Sequence, residues 1–253
     1  MNEQSSHFPG HILRKAALAL DSLAAEGTVS RAQLVANLPV PRSSGQRLVK
    51  TMLECDLLQT DTTGNIRIGN RIIRWGMAAL ESIDLRSVAH PDLEQLAIAT
   101  GETAHLGVME SGRVAYLDRV DSPQSIRLAS RLGASVPAHS TALGKCILAH
   151  LPGNVVREIL REPLERRTPH TITNIAQLLL ELDETRARGY AADCEENEPA
   201  VACLAAPIFD HTGTVVAAVS ASGPAGRVQA HPEIAGLVQA VAARISEHLG
   251  DAQ

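Results

Sequence analysis

Four polar side chains in the last third of the chain have the chemistry to bind a small polar ligand. Asp193 ends one predicted strand, Cys203 lies in the next, and Ser220 and Ser222 lie in a third. Because alternate residues of a strand point to the same face, the two serines share one face of the sheet. A carboxyl group, a thiol and two hydroxyls on neighbouring strands predict a small pocket that holds its ligand through hydrogen bonds.

The segment PAHSTALGKCIL adds a second predicted wall to this pocket. Ser140 or Thr141 is placed to cap the helix that follows, and the free N–H groups of a helix N-terminus attract an anion. Hydroxyl and backbone donors of this kind suit a carboxylate, while leucine and valine side chains suit an aliphatic body. The pattern therefore favours a small carboxylic acid as the ligand.

Each of these polar residues also has a purely structural interpretation. Cys203 in an apolar strand is typical of an inert small hydrophobic residue, Ser220 and Ser222 fit a tightly packed sheet, and His139 before a helix is typical of a structural histidine. Catalysis by a Cys203 nucleophile with His139 and Asp193 is a further alternative. The sequence places no base beside the thiol and has no nucleophile-elbow or metal-ligand spacing. We therefore expect no enzyme activity, no metal and no cofactor.

A second set of side chains with binding chemistry lies near the N-terminus. The formal net charge is −5, yet no Asp or Glu occurs between Gly27 and Leu53. One predicted helix in this stretch has a basic face, on which Arg47 suits the two acceptors of guanine and Gln46 suits adenine. Hydroxyls near its start can hold a phosphate. The predicted DNA-contacting residues are Arg42, Ser43, Ser44, Gln46, Arg47 and Lys50, together with Arg67 on a following hairpin.

Charge and composition separate the two ends of the chain and exclude several classes of protein. Residues 1–75 have a net charge of +3 and residues 76–253 a net charge of −8, which favours a polyanionic partner for the N-terminal part alone. The four cysteines show no CxxC spacing, so neither a zinc site nor a disulfide framework is predicted. No membrane-spanning apolar run and no secretory signal is present. We therefore expect a cytoplasmic protein with no membrane partner.

The basic helix is the third of three helices that must position these side chains. Apolar residues at helical spacing predict a first helix over His11–Ala25, and a capping box at Ser30 opens a second. The third helix is predicted over Pro41–Cys55, and two short strands around Asp61–Asn65 predict a β-hairpin. This order is typical of a winged helix-turn-helix. Acids would be excluded from the third helix because it would lie among DNA phosphates.

These elements predict four regions along the chain. Residues 1–10 are polar and expected to be disordered, and residues 11–69 form the DNA-binding domain. Residues 70–86 form the linker and dimerisation region, in which a helix predicted over Asn70–Ser82 has no acid before Glu81. The apolar circumference of this helix is typical of a helix that packs against a partner chain. Residues 87–253 form the C-terminal domain.

The C-terminal domain is predicted to have an antiparallel α+β fold, with helices before and after its strands. The acidic run Glu195–Glu198 is interpreted most simply as a solvated loop. The predicted helices cover Pro91–Thr100, Ser140–His150, Val155–Leu160, Asn174–Arg188 (capped by Thr173) and His231–Leu249. The predicted strands cover Glu102–Glu110, Arg113–Val120, Gly189–Asp193, Val201–Phe209 and Val215–Ser222, with an extended piece at Ile126–Ser130.

Three long stretches make the sequence similar to a known family: PAHSTALGKCILAHLP, RRTPHTIT and RGYAADCEENEPAVACLAAPIFDHTGTVVAAVSASGP. On these, and more loosely on LPVPRSSGQRLVKTMLECDLLQTD, the chain resembles the IclR family of bacterial transcriptional regulators. The resemblance implies a winged helix-turn-helix domain, a linker helix that dimerises and a GAF-like effector-binding domain. It also implies binding to palindromic promoter sites as a dimer or tetramer, in repression or activation.

The resemblance also carries effector-binding residues over to this chain. Effectors of the family are typically small metabolites, frequently organic or aromatic acids. Some members that bind glyoxylate-like acids have Gly-Ala where this chain has Ala142-Leu143. The implied effector-binding residues are Ala142, Leu143, Asp193, Cys203, Ser220 and Ser222, and the last four are also those that the strand faces select.

Two other functions compete with a ligand-responsive regulator. An effector-independent DNA-binding protein would use the same basic helix but would not be stabilised by a small acid. A sensor at a ligand concentration 100-fold above its Kd should gain about 2.7 kcal/mol of stability. A cysteine-dependent enzyme would instead turn over the ligand that it binds.

Overall fold

A computed structural model describes residues 10–81, 84–124, 132, 134–161 and 163–250 of the chain. The chain divides into two compact units, the first ending at Ser82 and the second beginning at Ile83. Residues 1–9 of the segment predicted to be disordered lie outside the described residues, whereas Gly10 begins the first helix. The extended piece predicted at Ile126–Ser130 also lies outside the described residues. Among the described residues, no helix combines the length and hydropathy that a membrane span requires.

The first unit contains three helices, a two-stranded antiparallel sheet and a fourth helix. Ser30 caps the second helix, because its hydroxyl accepts the N–H of Gln33 at 3.2 Å. The first and third helices begin and end within one residue of the predicted bounds, His11–Ala25 and Pro41–Cys55. The second helix and the two strands of the hairpin lie where they were predicted. The elements are α1 (Gly10–Glu26), α2 (Arg31–Asn37), α3 (Arg42–Glu54), β1 (Leu58–Thr60), β2 (Ile66–Ile68) and α4 (Asn70–Glu81).

A glycine inside α3 allows this helix to approach α2 closely. Glycine in a helix interior costs about 1 kcal/mol relative to alanine. Gly45 nevertheless lies on the buried face of α3, beside Val49 and Met52. A Cβ at this position would lie 3.0 Å from Cγ1 of Val35 on α2. The glycine therefore sets the contact between the two helices, which orients the opposite, basic face of α3.

Helix α4 agrees with the helix predicted over Asn70–Ser82, and a second helix begins within the linker region predicted over 70–86. α4 ends at Glu81, and α5 (Leu85–Thr100) begins after Asp84, whose carboxylate accepts hydrogen bonds from the first turn. The prediction that a helix begins at Pro91 is wrong, because this proline lies inside α5. Proline removes one backbone hydrogen bond, but the cap at Asp84 has already started the helix.

The second unit is built on a six-stranded antiparallel sheet with the strand order β5-β4-β3-β8-β7-β6. Its strands are β3 (Thr103–Glu110), β4 (Arg113–Val120), β5 (Ser135–Pro137), β6 (Ala191–Cys194), β7 (Val201–Phe209) and β8 (Val215–Pro224). Its further helices are α6 (Ala142–His150), α7 (Gly153–Ile159), α8 (Ile175–Arg188), α9 (Ala225–Ala230) and α10 (Glu233–His248).

The two faces of this sheet carry separate hydrophobic cores. Helices α5 and α10 cover one face, where Leu93 and Val238 pack against Leu106 and Val219 of the strands. Helices α6 and α8 cover the other face, where Ile147, Leu178 and other apolar residues form the second core. Strands buried on both faces explain the near-continuous apolar runs of β7 and β8.

Three elements of the second unit differ from the sequence prediction. Strand β5 and helix α9 were not predicted, because segments of three and six residues are too short to show a hydrophobic period. The cap of α8 is Asn174, whose Oδ1 accepts the N–H of Gln177 at 2.9 Å, and not Thr173. Of the two predicted caps of α6, Thr141 takes the role.

We predict that Gly144→Ala destabilises the protein by roughly 1–3 kcal/mol. A Cβ on Gly144 would lie 2.2 Å from the backbone oxygen of Ala138, so α6 would have to move. Urea unfolding followed by circular dichroism measures the change. Gly236→Ala at an exposed position of α10 meets no atom within 4 Å and should instead stabilise by up to about 1 kcal/mol. Equal effects of the two substitutions would contradict the close approach of α6.

Candidate functional site

The predicted DNA-contacting residues form one basic surface on α3. Six of the seven lie on this helix, where Ser44 is half-buried and the other five are exposed. A shallow groove is lined by Ser43, Gln46, Arg47 and Lys50 together with Arg31 of α2. Arg31 was not among the predicted contacts, although it lies in the same acid-free stretch of sequence.

The charge of this groove is positive and only weakly compensated. Its lining contains three cations and no carboxylate. Lys50 lies 3.7 Å from Glu54 in an exposed pair one turn along the helix, and such pairs contribute about 0.3–0.5 kcal/mol. Arg67, on β2, donates to Oε1 of Gln59 at 2.9 Å and is exposed. The groove is therefore suited to a polyanion.

A cavity of about 240 Å³ lies in the second unit, at the start of α6 and against the α6 face of the sheet. All six of the predicted effector-binding residues line it: Ala142, Leu143, Asp193, Cys203, Ser220 and Ser222. The lining residues that were not predicted are His105, Tyr116, Ala134, Val136, Thr141, Arg167, Asn197, Glu198 and Val201. Most of these come from β3, β4 and loops whose proximity depends on the sheet order.

Strand register brings the polar residues of the cavity into line. Asp193 of β6 is paired with Cys203 of β7, which is paired with Ser222 of β8. One step along β8, on the same face, Ser220 is paired with His105 of β3. Residues that are paired across strands lie side by side on one face. The sheet therefore presents a carboxyl, a thiol, two hydroxyls and an imidazole to the same space.

The start of α6 adds backbone donors to the cavity. Thr141 Oγ1 accepts the N–H of Gly144 at 3.2 Å, whereas Ala142 and Leu143, as the first two residues of the helix, have no intrahelical acceptor for their N–H groups. Ser140 donates to Oδ1 of Asn197 at 3.2 Å. This helix end therefore combines two free backbone donors with the positive end of the helix dipole.

Burial makes Asp193 a weak acid. Its Oδ1 accepts the N–H groups of Glu196 and Asn197, at 2.7 and 3.3 Å, which favours the charged form. Loss of water outweighs these bonds and raises the pKa of Asp193 from 3.8 to about 7. Near neutral pH this carboxyl group is partly protonated and can donate as well as accept a hydrogen bond.

Two further titratable groups of the cavity, His105 and Cys203, are neutral at pH 7. Burial and the nearby charge of Arg119 lower the pKa of His105 to about 3, and its ring lies 4.9 Å from the Tyr116 ring. Burial, and then the Asp193 charge, raise the pKa of the Cys203 thiol. A nucleophilic cysteine needs a lowered pKa. His139, the base of the enzyme alternative, has Nε2 2.9 Å from the Glu165 carbonyl oxygen and does not line the cavity.

The acidic run Glu195–Glu198 is not a solvated loop throughout, so its simplest interpretation is wrong. Glu196 is buried and its Oε1 lies 2.6 Å from Nζ of Lys145, a residue of α6 that is only 1% exposed. Thr168 and Thr171 donate to the carbonyl oxygens of Glu195 and Glu196, each at 2.6 Å. These bonds fix the loop that carries Asn197 and Glu198 into the cavity wall.

Comparison with known proteins identifies relatives of this chain. Residues 77–247 match the family model described as the bacterial transcriptional regulator IclR C-terminal domain. The chain is 32% identical over 235 residues to the HTH-type transcriptional regulator KdgR of Dickeya chrysanthemi, covering 91% of this chain and 77% of the relative. The relatives are named as transcriptional regulators, so the chain is classed with regulators and not with enzymes.

Solved structures agree with this relationship. The Agobacterium tumefaciens repressor BlcR is 31% identical, with a TM-score of 0.84 over 98% of this chain and all of that one. An IclR homologue from Microbacterium hydrocarbonoxydans, crystallised with 4-hydroxybenzoate, is 26% identical, with a TM-score of 0.62 over 94% of this chain and 98% of that one.

The raised pKa of Asp193 predicts how folding stability depends on pH. Because the folded state holds this proton more tightly than the unfolded state, the contribution is fully present below about pH 4 and is lost as pH rises through about 7. Asp193→Asn should therefore gain stability relative to the wild type between pH 5 and pH 8, with a slope of at most about 1.4 kcal/mol per pH unit. Urea unfolding at each pH measures the difference, and parallel curves would contradict the assignment.

Proposed function

The chain belongs to the IclR family of bacterial transcriptional regulators, and we propose that it is a homodimeric DNA-binding regulator whose operator affinity changes when a small carboxylic acid binds. Residues of α3 contact the DNA in this proposal, and the cavity beside α6 holds the acid. The observation that carries it is the presence, in separate units of one chain, of a basic helix surface and a cavity whose wall contains several polar side chains.

The first unit supports a winged helix-turn-helix assignment. Three helices are followed by a two-stranded hairpin, and the third helix exposes Gln46 and Arg47 on its basic face. These side chains match the edge patterns of adenine and guanine in the major groove. Arg31, Arg42 and Lys50 would contact phosphates and set the register of the helix on the duplex.

Exposed apolar side chains support a homodimer. Ile12 and Leu13 of α1, and Ile73 and Trp75 of α4, are exposed, with Trp75 58% accessible. Large exposed apolar residues on two helices of the first unit are typical of an interaction surface, and most soluble oligomers are symmetric homo-oligomers. A dimer would place two copies of α3 in successive major grooves about 34 Å apart on a palindromic operator. Pairing of two dimers would give a tetramer.

The cavity supports a carboxylate ligand with a second polar group. The two free N–H groups at the start of α6 suit the carboxylate, and Arg167 in the wall adds a cation. A hydroxyl or carbonyl group of the ligand can bond to Asp193, Ser220 and Ser222. The 4-hydroxybenzoate complex of the Microbacterium hydrocarbonoxydans homologue, an acid with a hydroxyl group, supports this chemical class.

The acid acts on DNA affinity only through its preference for one of two arrangements of the protein. A typical coupling free energy of about 1–3 kcal/mol changes operator affinity roughly 5- to 150-fold. A preference for the DNA-binding arrangement strengthens binding, and the opposite preference releases the operator. An effector-independent DNA-binding protein would show no such change.

The test begins with an operator selected from a random duplex pool by its affinity for the full-length protein. Its binding is then measured by fluorescence anisotropy with and without 4-hydroxybenzoate, glyoxylate and pyruvate. At least one acid should raise the unfolding temperature and change the DNA Kd. An acid that binds without changing the DNA Kd would contradict the proposed switch.

Arg47→Ala should weaken operator binding by about 1–3 kcal/mol and relax selectivity at one base position, because a guanine loses its bidentate partner. Lys50→Ala should weaken binding to all sequences alike and lower the slope of log K against log salt by about 1. Arg157→Ala, on exposed α7 of the second unit, is the control and should leave both quantities unchanged. A loss as large in the control would show a nonspecific charge effect.

Ser222→Ala should weaken binding of the acid about 5- to 10-fold, the equivalent of one net hydrogen bond, while operator affinity without the acid stays within twofold. Isothermal titration calorimetry measures the acid affinity. Ser246→Ala is the matched control: this buried serine accepts the N–H of Phe209 at 2.9 Å outside the cavity. It should lose stability but retain the affinity for the acid, and the opposite pattern would place the acid elsewhere.

A further inference from the structure

Strand β4 contains a bulge at the point where it passes the cavity. In its pairing with β3, Gly107 is opposite Tyr116 and Leu106 is opposite Asp118. Leu117 therefore has no partner on β3, so two residues of β4 oppose one residue of β3 at this point. An unpaired residue interrupts the ladder and leaves the strand locally easier to deform.

The extra residue changes which face of the sheet each side chain meets. Tyr116 lines the cavity and contacts His105 there. Leu117 instead packs into the core beneath α5 and α10, and Asp118 bonds to α5 as well. In a regular strand Tyr116 and Asp118 would share one face. Because of the bulge, one short segment contacts the cavity on one side and α5 on the other.

Asp118 holds the first two turns of α5. Its side chain is 1% exposed; Oδ2 lies 2.6 Å from Nδ1 of His90 and Oδ1 accepts from Nε of Arg86 at 3.3 Å. A buried carboxylate that loses such partners is left as an uncompensated charge, which is strongly unfavourable. A displacement of Asp118 is therefore expected to carry the start of α5 with it.

Helix α5 is the first element of the second unit, and three residues separate it from the end of α4. Any signal that travels along the chain from the cavity to the DNA-binding unit passes through its start. Asp84, the cap of α5, and Arg86, a partner of Asp118, both lie within the first turn. A change in the conformation of this turn is therefore passed directly to the residues that join α4 to α5.

We propose that Asp118 is the positioning residue that couples occupancy of the cavity to α5, through the bulge at Leu117. This inference rests on the proposed effector-dependent DNA binding. A ligand that contacts Tyr116 shifts the deformable bulge, and the bonds from Asp118 to Arg86 and His90 transfer the shift to α5. The two arrangements of the bulge supply the two states between which the effector selects.

The test measures the ratio of DNA Kd values with the cavity occupied and empty. The cavity is occupied in two ways. The first is 4-hydroxybenzoate, glyoxylate or pyruvate at a saturating concentration, and the second is the substitution Ser222→Leu, whose larger side chain fills the cavity without any ligand. We expect Asp118→Asn to reduce the wild-type ratio from its typical 5- to 150-fold to less than twofold. Acid binding itself should stay within threefold, because Asp118 does not line the cavity.

Asp92→Asn is the matched control. Asp92 is another buried carboxylate of α5, but its ionic partners among the described residues, Arg244 at 2.9 Å and His248 at 3.9 Å, both lie on α10. Both substitutions remove a buried ionic contact of α5, so both should lower the unfolding temperature. Only Asp118→Asn should reduce the ratio of the DNA Kd values with the cavity occupied and empty.

Arg86→Gln removes the same contact from its α5 side. It keeps the test informative if Asp118→Asn fails to fold. It should lower the ratio as Asp118→Asn does, and the double variant should show no further loss, because the two residues act through one contact. A wild-type ratio above fivefold that persists in Asp118→Asn, or that falls equally in Asp92→Asn, would overturn the coupling role alone. A wild-type ratio of 1 with every occupant would overturn the proposed switch and the coupling role with it.

Discussion

A single buried ion pair, Lys145 to Glu196, holds the cavity together. Its two charges lie on different elements, α6 and the loop after β6, and the Lys145 side chain is 1% exposed. Removing either partner of such a pair leaves an uncompensated buried charge, which costs about 3–5 kcal/mol. The backbone of Glu196 donates to Asp193, and the carbonyl oxygen of Glu196 accepts from Thr171. The three stretches on which the family resemblance rests therefore meet at this contact.

This contact also explains the electrostatics of the cavity. Lys145 is neutralised by Glu196, with Glu181 a further 3.8 Å neighbour, so it does not act as a free cation for the ligand. Donors at the start of α6 remain for an anion, as does the guanidinium of Arg167, of which Nη1 is paired with Oε1 of the half-exposed Glu165 at 3.1 Å. An ionised Asp193 would repel a carboxylate, but burial raises its pKa to about 7. A neutral carboxyl in the wall removes that repulsion and supplies a hydrogen-bond donor for a hydroxyl or carbonyl oxygen.

The sequence was sufficient for features that repeat at a short period or follow directly from local chemistry. Helical spacing predicted α3 and its exposed basic face, and strand alternation with the family resemblance predicted all six of the cavity residues that were named. His105, Tyr116 and Arg167 were missed because their position depends on which strands pair, and β3 pairs with β8 more than a hundred residues later. The start of α5 was missed because Pro91 was given more weight than the capping group of Asp84.

The bulge in β4 was beyond sequence prediction for a different reason. A strict alternation gives each strand one face toward the cavity and one face toward α5 and α10, and it keeps residues two apart on the same side. A regular ladder cannot present Tyr116 to the cavity and the carboxylate of Asp118, two residues further on, to Arg86 on the other side of the sheet. Shifting the pairing of the whole strand would move every other side chain to the wrong core. One inserted residue reverses the faces beyond it alone, which leaves both cores of the sheet intact.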